Sequence, residues 1–416
     1  MLRVRNIFGL KNLKLDARHQ PSGSNSRFNG DRLPFAEYVA RNRDMLAKAH
    51  AKLRDADLEK IVDGNAPFEL KPDNPSPPPG RGRVREGVET SSPGQQKPYR
   101  RGVLLTHGLT SSPYTMRYLA KFFQENGFRV MVVLLPGHGT QSGDLLDVKW
   151  QEWAKTVAYG AHKLAEEVDE LYLAGYSIGG ALSIYHSLRD KRVRGLFLFS
   201  PAFRITRWAA LANLHKLYSW LLPSAKWVDV NPDRDIYKYE SLAKNAAAQT
   251  YALTKGLKAR LRQHELDIPV FAVASEDDTT VDASATIEFM ASTRHPSSKL
   301  VLYTTDPERL PVGIAPQKLE RVNSVVPEQR ILSSAHTAIV MPPDDPHYGA
   351  QGEYSNCIHY YQDNKEKYHA CINNPATDLQ GEITEKNLKA GIMRRLTYNQ
   401  NFTGLKVSMK KFIDGL

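Results

Sequence analysis

Between residues 100 and 199 short apolar runs alternate with amphipathic stretches three times, and few folds accommodate that pattern. Gly102-Val103-Leu104-Leu105-Thr106 reads as a buried strand ending at His107-Gly108. A helical pattern over 115–126 leads to a strand over 128–135, and a long helix over about 148–168 leads to a strand over 171–176. A helix over 178–188 and a strand over 193–199 complete the series. Strands this uniformly apolar must be buried on both faces, which predicts a mostly parallel central sheet with helices on both sides. Strand signals resume at 268–274 and 300–304. The stretch between, about 202–266, is helical in texture and rich in Trp208, Leu211, Leu214, Leu217, Leu221, Leu222 and Trp227. It is a candidate helical cap, its leucines either lining an acyl-chain channel or filling the cap's own core.

The flanks differ in character. Residues 1–99 read as a basic extension. Residues 34–61 carry Phe35, Val39, Leu46, Ala49 and Leu53 at helical spacing, with Pro34 in a tolerated first-turn position. A Pro/Gly-rich linker follows over 72–98. Of the net charge of +11, the first 101 residues supply 20 basic and 12 acidic side chains, so the rest of the chain is nearly balanced. That arm is a candidate for peripheral contact with an anionic membrane surface, or simply a solvated mixed-charge segment. No zinc-finger, helix-turn-helix or RNA-binding pattern accompanies the charge, so no nucleic-acid partner is expected. No apolar run approaches 18 residues and no signal-peptide pattern opens the chain, which predicts a cytoplasmic protein, membrane-associated at most. Residues 100–345 read as the catalytic domain and 346–416 as an appendage packed on it. Cys357 and Cys371, the two cysteines, would close a 15-residue loop if bridged, and bridge and free thiols stand equally open.

Chemistry centres on Gly175-Tyr176-Ser177-Ile178-Gly179-Gly180. A bare G-x-S-x-G arises ~0.1 times by chance in a chain this long, so its setting carries the weight. The serine falls at a strand-to-helix junction, where a strained turn exposes a nucleophile and glycines two residues either side relieve crowding. The N–H of Ile178, opening the helix, then points where an oxyanion would develop. Leu109, after the first strong strand, is the candidate second donor, and His107 reads as a hydrogen-bonding residue of that turn.

A serine nucleophile needs a base and a carboxylate to orient it, in the chain order Ser, Asp or Glu, His. In the loop over 275–282, Asp278 is favoured over Asp277 because Val281 can anchor the loop while Asp278 faces the sheet edge. Of His295, His336, His347, His359 and His369, His336 is favoured: small residues flank it in Ser333-Ser334-Ala335-His336-Thr337.

With His107-Gly108-Leu109-Thr110-Ser111-Ser112-Pro113, Leu135-Pro136-Gly137-His138-Gly139-Thr140 and Asp278-Thr279-Thr280-Val281, these pieces resemble the α/β-hydrolase superfamily. The likeness is to its monoacylglycerol lipase, carboxylesterase and serine aminopeptidase-type group. The resemblance implies an α/β-hydrolase fold and a serine esterase of lipase type that needs neither cofactor nor metal. Ser177 would be the acylated nucleophile, His336 the base and Asp278 its orienter, with Leu109 and Ile178 N–H groups as the oxyanion hole. The substrate would be a small-molecule ester, monoacylglycerols and lysophospholipids among the candidates. Peptidase or amidase action, with Glu240 as an amine anchor, remains an alternative, as do thioesterase action and a catalytically silent lipid-binding role. The 58-residue interval from Asp278 to His336 is long for the group, and a strand-loop segment over about 306–329 is expected to fill it.

Overall fold

The computed structural model describes residues 14–25, 32–72, 97–205, 223–308, 311, 313–373 and 379–416. In chain order it begins with α1 (Phe35–Leu53), α2 (Leu58–Asn65), β1 (Phe68–Leu70) and β2 (Tyr99–Thr106). Next come α3 (Arg117–Glu125), β3 (Phe128–Val133), α4 (Trp150–Glu167), β4 (Val168–Tyr176), α5 (Ile178–Ser187) and β5 (Val193–Phe199). After them lie β6 (Trp227–Asp229), β7 (Leu242–Ala243), α6 (Lys244–Leu261), β8 (Val270–Ser275), α7 (Ala283–Ser292), β9 (Lys299–Thr304) and β10 (Leu319–Asn323). The C-terminal part holds α8 (Ile358–Tyr361), α9 (Lys365–Asn373), β11 (Leu379–Gly381), α10 (Glu385–Lys389), β12 (Met393–Arg395) and α11 (Phe402–Asp414).

Eight strands form one sheet in the order β1-β3-β2-β4-β5-β8-β9-β10. All neighbours are parallel except β1, which pairs antiparallel with β3. Successive side chains of β2 go to opposite faces, as strand geometry requires. Leu104 joins the core under α1, α4, α5, α6 and α7, while Val103 and Leu105 join the core under α3 and α11. Apolar runs in place of strict alternation therefore reflect burial from both sides. This is the α/β-hydrolase fold, and its parallel strands all deliver their C-terminal ends to one edge.

Three features depart from, or add to, the sequence reading. The single helix expected over 34–61 is two, α1 and α2, broken where Arg54 and Asp57 take φ of 56° and 54°. The break is anchored by Asp55, whose carboxylate meets His50 Nδ1 at 2.7 Å and the Arg18 guanidinium. Apolar spacing does not register such a side-chain anchor. Second, β1 adds a strand to the sheet from within the basic extension, and Tyr38 of α1 donates to Leu134 O at 2.9 Å. Most of the linker expected over 72–98 lies outside the described residues. Third, the insertion between β5 and β8 is extended in β6 and β7 and helical in α6. Trp227 is buried in the main core, whereas Trp208, Leu211, Leu214, Leu217, Leu221 and Leu222 lie outside the described residues. α6 is tied beside α4, with Asn245 Nδ2 donating to Leu145 O (3.0 Å) and Val148 O (2.9 Å). In the long interval before His336, β10 pairs in parallel with β9.

Candidate active site

Ser177 stands between β4 and α5 with φ 55° and ψ −116°. A non-glycine residue there costs about 1–3 kcal/mol and persists only when its surroundings impose it. Its N–H donates to Phe199 O at 2.9 Å, and its carbonyl accepts from the N–H groups of Gly180 (3.1 Å) and Ala202 (3.0 Å). The flanking glycines are steric requirements. A Cβ on Gly175 would stand 2.2 Å from the carbonyl carbon of Gly179, and one on Gly179 would stand 2.1 Å from Thr106 O. Strand and helix therefore meet backbone to backbone, and the serine is held at the turn between them.

His336, opening a 3₁₀ turn, meets that serine from the far end of the chain. Its Nε2 lies 3.1 Å from Ser177 Oγ and its Nδ1 lies 2.6 Å from Asp278 Oδ2. A carboxylate only accepts, so Nδ1 carries the hydrogen and the neutral ring presents Nε2 as acceptor to the serine hydroxyl. The other Asp278 oxygen, Oδ1, accepts from Thr280 N–H (2.8 Å) and Val281 N–H (2.9 Å), which fixes the carboxylate's rotation. Tyr176 closes the back of the site, its hydroxyl donating to His336 O at 2.9 Å. Burial, with Asp278 nearby, pushes the Tyr176 phenol well above its ordinary value, so it stays a donor.

Asp277, the alternative acid, has an Oδ2 without a partner and is not hydrogen-bonded to His336. Burial, with Glu276 and Glu382 adding to it, pushes its carboxyl up to about 6. His347 lies elsewhere, its Nε2 3.1 Å from Asp235 Oδ1 among Tyr114, Tyr237, Tyr348 and Tyr354.

The expected oxyanion donors flank the serine. Ile178 is the first residue of α5, so its N–H has no acceptor within the helix. Gly108 packs so tightly that a Cβ on it would lie 3.2 Å from Ser177 Cβ, which brings the turn carrying Leu109 against the elbow. Thr110, at φ 63°, fixes that turn by accepting Tyr239 N–H on its carbonyl at 2.8 Å. His107 braces it from behind: Nε2 accepts Leu135 N–H at 3.0 Å and Nδ1 donates to Gly108 O at 2.9 Å. Burial, together with neighbouring His138, holds His107 well below its ordinary value, and burial holds His138 at about 4. Both are neutral braces of the backbone.

Sequence reasoning missed Glu382 and Arg395. Glu382 Oε2 accepts the His336 backbone N–H at 3.0 Å, and Oε1 accepts Thr279 Oγ1–H at 3.0 Å. Arg395 donates to both Glu382 oxygens (2.8 and 2.9 Å) and to Thr280 Oγ1 (2.6 Å). Burial alone would raise the Glu382 carboxyl, but the Arg395 charge and hydrogen bonds hold it below its ordinary range.

The family model described as serine aminopeptidase, S33, matches residues 97–305, half of the chain, which includes the elbow and Asp278. The chain belongs to that family. It is 29% identical over 188 residues to the thermostable monoacylglycerol lipase of Bacillus sp. (strain H-257), covering 45% of this chain and 75% of that one. It is 30% identical over 98 residues to the carboxylesterase of Bacillus subtilis (strain 168), covering 23% of this chain and 40% of that one. Among solved structures it is similar to that of a study of LipS and LipT, two metagenome-derived lipolytic enzymes, at 21% identity and TM-score 0.43, over 50% of this chain and 84% of that one. It is also similar to a monoacylglycerol lipase of Paleococcus ferrophilus, at 17% identity and TM-score 0.40, over 49% of this chain and 86% of that one.

Cys357 and Cys371 are joined by a disulfide. Among the described residues no group of three His, Cys, Asp or Glu side chains is arranged to hold a metal ion, and no helix is long and apolar enough to cross a membrane.

Proposed function

We propose that this S33-family protein is a serine esterase of lipase type that cleaves carboxylic esters through an acyl-enzyme on Ser177. The observation that carries the reading is the continuous relay from Asp278 Oδ2 through His336 to Ser177 Oγ, at 2.6 and 3.1 Å. Ser177 Oγ attacks the ester carbonyl as its proton passes to His336 Nε2, and the Asp278 carboxylate stabilises the resulting imidazolium. Leu109 and Ile178 N–H groups hold the oxyanion, each contributing a factor of roughly 10²–10³. The imidazolium returns the proton to the departing alcohol; water, deprotonated by the same nitrogen, then releases the acid. No bound cofactor or metal takes part in these steps.

Likeness to a monoacylglycerol lipase and a carboxylesterase supports a mono-acyl ester such as a monoacylglycerol as substrate. Amine recognition at Glu240 has no comparable support. Its two oxygens already accept Tyr354 O–H at 2.7 Å and Arg234 N–H at 3.0 Å.

Fluorophosphonate labelling, followed by a panel of nitrophenyl esters and monoacylglycerols of rising chain length, tests the proposal. The wild type should label and turn over esters, and Ser177→Ala should do neither. An unlabelled wild type, or turnover of aminoacyl amides in place of esters, refutes it.

A further inference from the structure

The acid and the base stand on two separate loops, one after β8 and one after β10, which meet in the hydrogen bond between Asp278 Oδ2 and His336 Nδ1. Their common partner comes from the chain's last forty residues, beyond the 97–305 match. Glu382, fully buried, touches both loops at once: it takes the backbone N–H of His336 on one and the hydroxyl of Thr279 on the other. Its own N–H donates to Ser333 Oγ at 3.0 Å, three residues before His336. Arg395 reaches the acid loop again at Thr280, whose N–H holds Asp278 Oδ1. Three hydrogen bonds from the two catalytic loops thus converge on one carboxylate–guanidinium pair.

We propose that the Glu382–Arg395 pair is a positioning element for the catalytic relay. It sets the spacing between Asp278 and His336 and, through its charge, the pH at which His336 gains its proton. The proposal rests on the serine-esterase reading of Ser177 and His336. A buried ion pair held only for stability is a poor device, since a matched apolar pair does as well. A pair whose two members each hold a catalytic loop has a geometric role an apolar pair cannot fill. The charges also balance at the site: Glu382 lies against the His336 backbone, and Arg395 acts on both Glu382 and Asp278.

Other charged and titratable groups packed around His336 are Asp278, with Asp277 and Glu276 on its loop, and Tyr176 at the end of β4. Lys238, before β7, and Lys386, in α10, act from farther out through Glu382, Arg395 and Asp277. Glu382→Gln leaves every one of these in place and strips one negative charge, so the Arg395 cation, which cannot neutralise itself, stands uncompensated. An uncompensated cation disfavours the imidazolium. The base then survives to lower pH.

The test is the pH profile of kcat/KM for full-length protein on a nitrophenyl ester. In Glu382→Gln the acid limb should move down by about 1 pH unit, and in Glu382→Gln/Arg395→Met it should return to the wild-type position. Thr280→Val removes one tether without altering charge. It should lower kcat about tenfold at unchanged KM, with the acid limb fixed. If Glu382→Gln does not fold, the double variant and Thr280→Val decide the matter. An acid limb displaced in the double variant, or wild-type kcat in Thr280→Val, overturns the proposal, as does an unmoved limb in folded Glu382→Gln. Fluorophosphonate labelling of the wild type separates the two failures: a labelled wild type with unmoved variants sinks only the positioning role.

Discussion

Asp278→Asn isolates the orienting function because the carboxylate's two oxygens do different things. Oδ1 is held by two backbone N–H groups, at 2.8 and 2.9 Å, and Oδ2 faces His336 Nδ1 at 2.6 Å. An asparagine has one oxygen to place. Turning its amide toward Thr280 and Val281 would leave two buried N–H donors facing a donor, at about 1–3 kcal/mol each. The oxygen therefore stays on the N–H pair and the amide nitrogen faces His336. Nδ1 must then accept, which moves the ring hydrogen to Nε2 and aims it at Ser177 Oγ. The base is lost while the fold is kept. Holding the wrong tautomer costs about 10⁴ in kcat, or about 5 kcal/mol of transition-state stabilisation. Ester turnover under saturating substrate measures this directly, with far-UV circular dichroism and thermal melting as the check on folding. Asp277→Asn is the control: with an unpartnered Oδ2 and a carboxyl raised to about 6, it should lose little activity. Retention of more than about a tenth of kcat in Asp278→Asn, or an equal loss in Asp277→Asn, refutes the reasoning.

Three further outcomes follow from local physics. Ser177→Gly should abolish labelling yet raise the free energy of unfolding by about 1 kcal/mol, because φ 55° is strained for serine and free for glycine; an unchanged or lower denaturation midpoint counts against strain at the elbow. Glu240, raised to about 7 chiefly by burial, binds its proton more tightly folded than unfolded, so its contribution is complete below about pH 4.5 and lost as pH rises toward 7. The loss is about 3 kcal/mol, and the fall in urea-unfolding stability from pH 5 to pH 8 should be smaller in Glu240→Gln; an identical fall in the variant contradicts the assignment. Reducing the Cys357–Cys371 bridge frees a loop whose ends are 14 residues apart in sequence, which should lower stability by about 3 kcal/mol on the chain-entropy model; an unshifted denaturation curve with dithiothreitol would mean the α8–α9 region opens independently of the rest.

Local pattern told most about the middle of the chain. β5 begins and ends where its apolar run does, and the elbow is set by a short-range rule: a serine in a strained turn needs glycine on both sides. Asp278 could be distinguished from Asp277 one position away because loop geometry is local too. His336 was reachable through chain order together with the small residues that flank it. The Glu382–Arg395 pair had no such signal. Glu382 is 46 residues from His336, and a lone glutamate in Gln380-Gly381-Glu382-Ile383-Thr384 reads as a solvated surface residue until the fold buries it. β1 escaped notice for a similar reason, since three residues are too few to display a strand's alternation, and its pairing with β3 is what makes it a strand. The break between α1 and α2 depends on Asp55 finding Arg18 and His50.

The sequence by itself determined the parallel sheet and the nucleophile turn, because apolar period and glycine sterics act over a few residues. Tertiary structure alone decided what holds the loops of the acid and the base together. It also decided that half of the basic extension belongs to the body of the protein. Those outcomes depend on burial and hydrogen bonds between segments tens to hundreds of residues apart, and no local pattern encodes them.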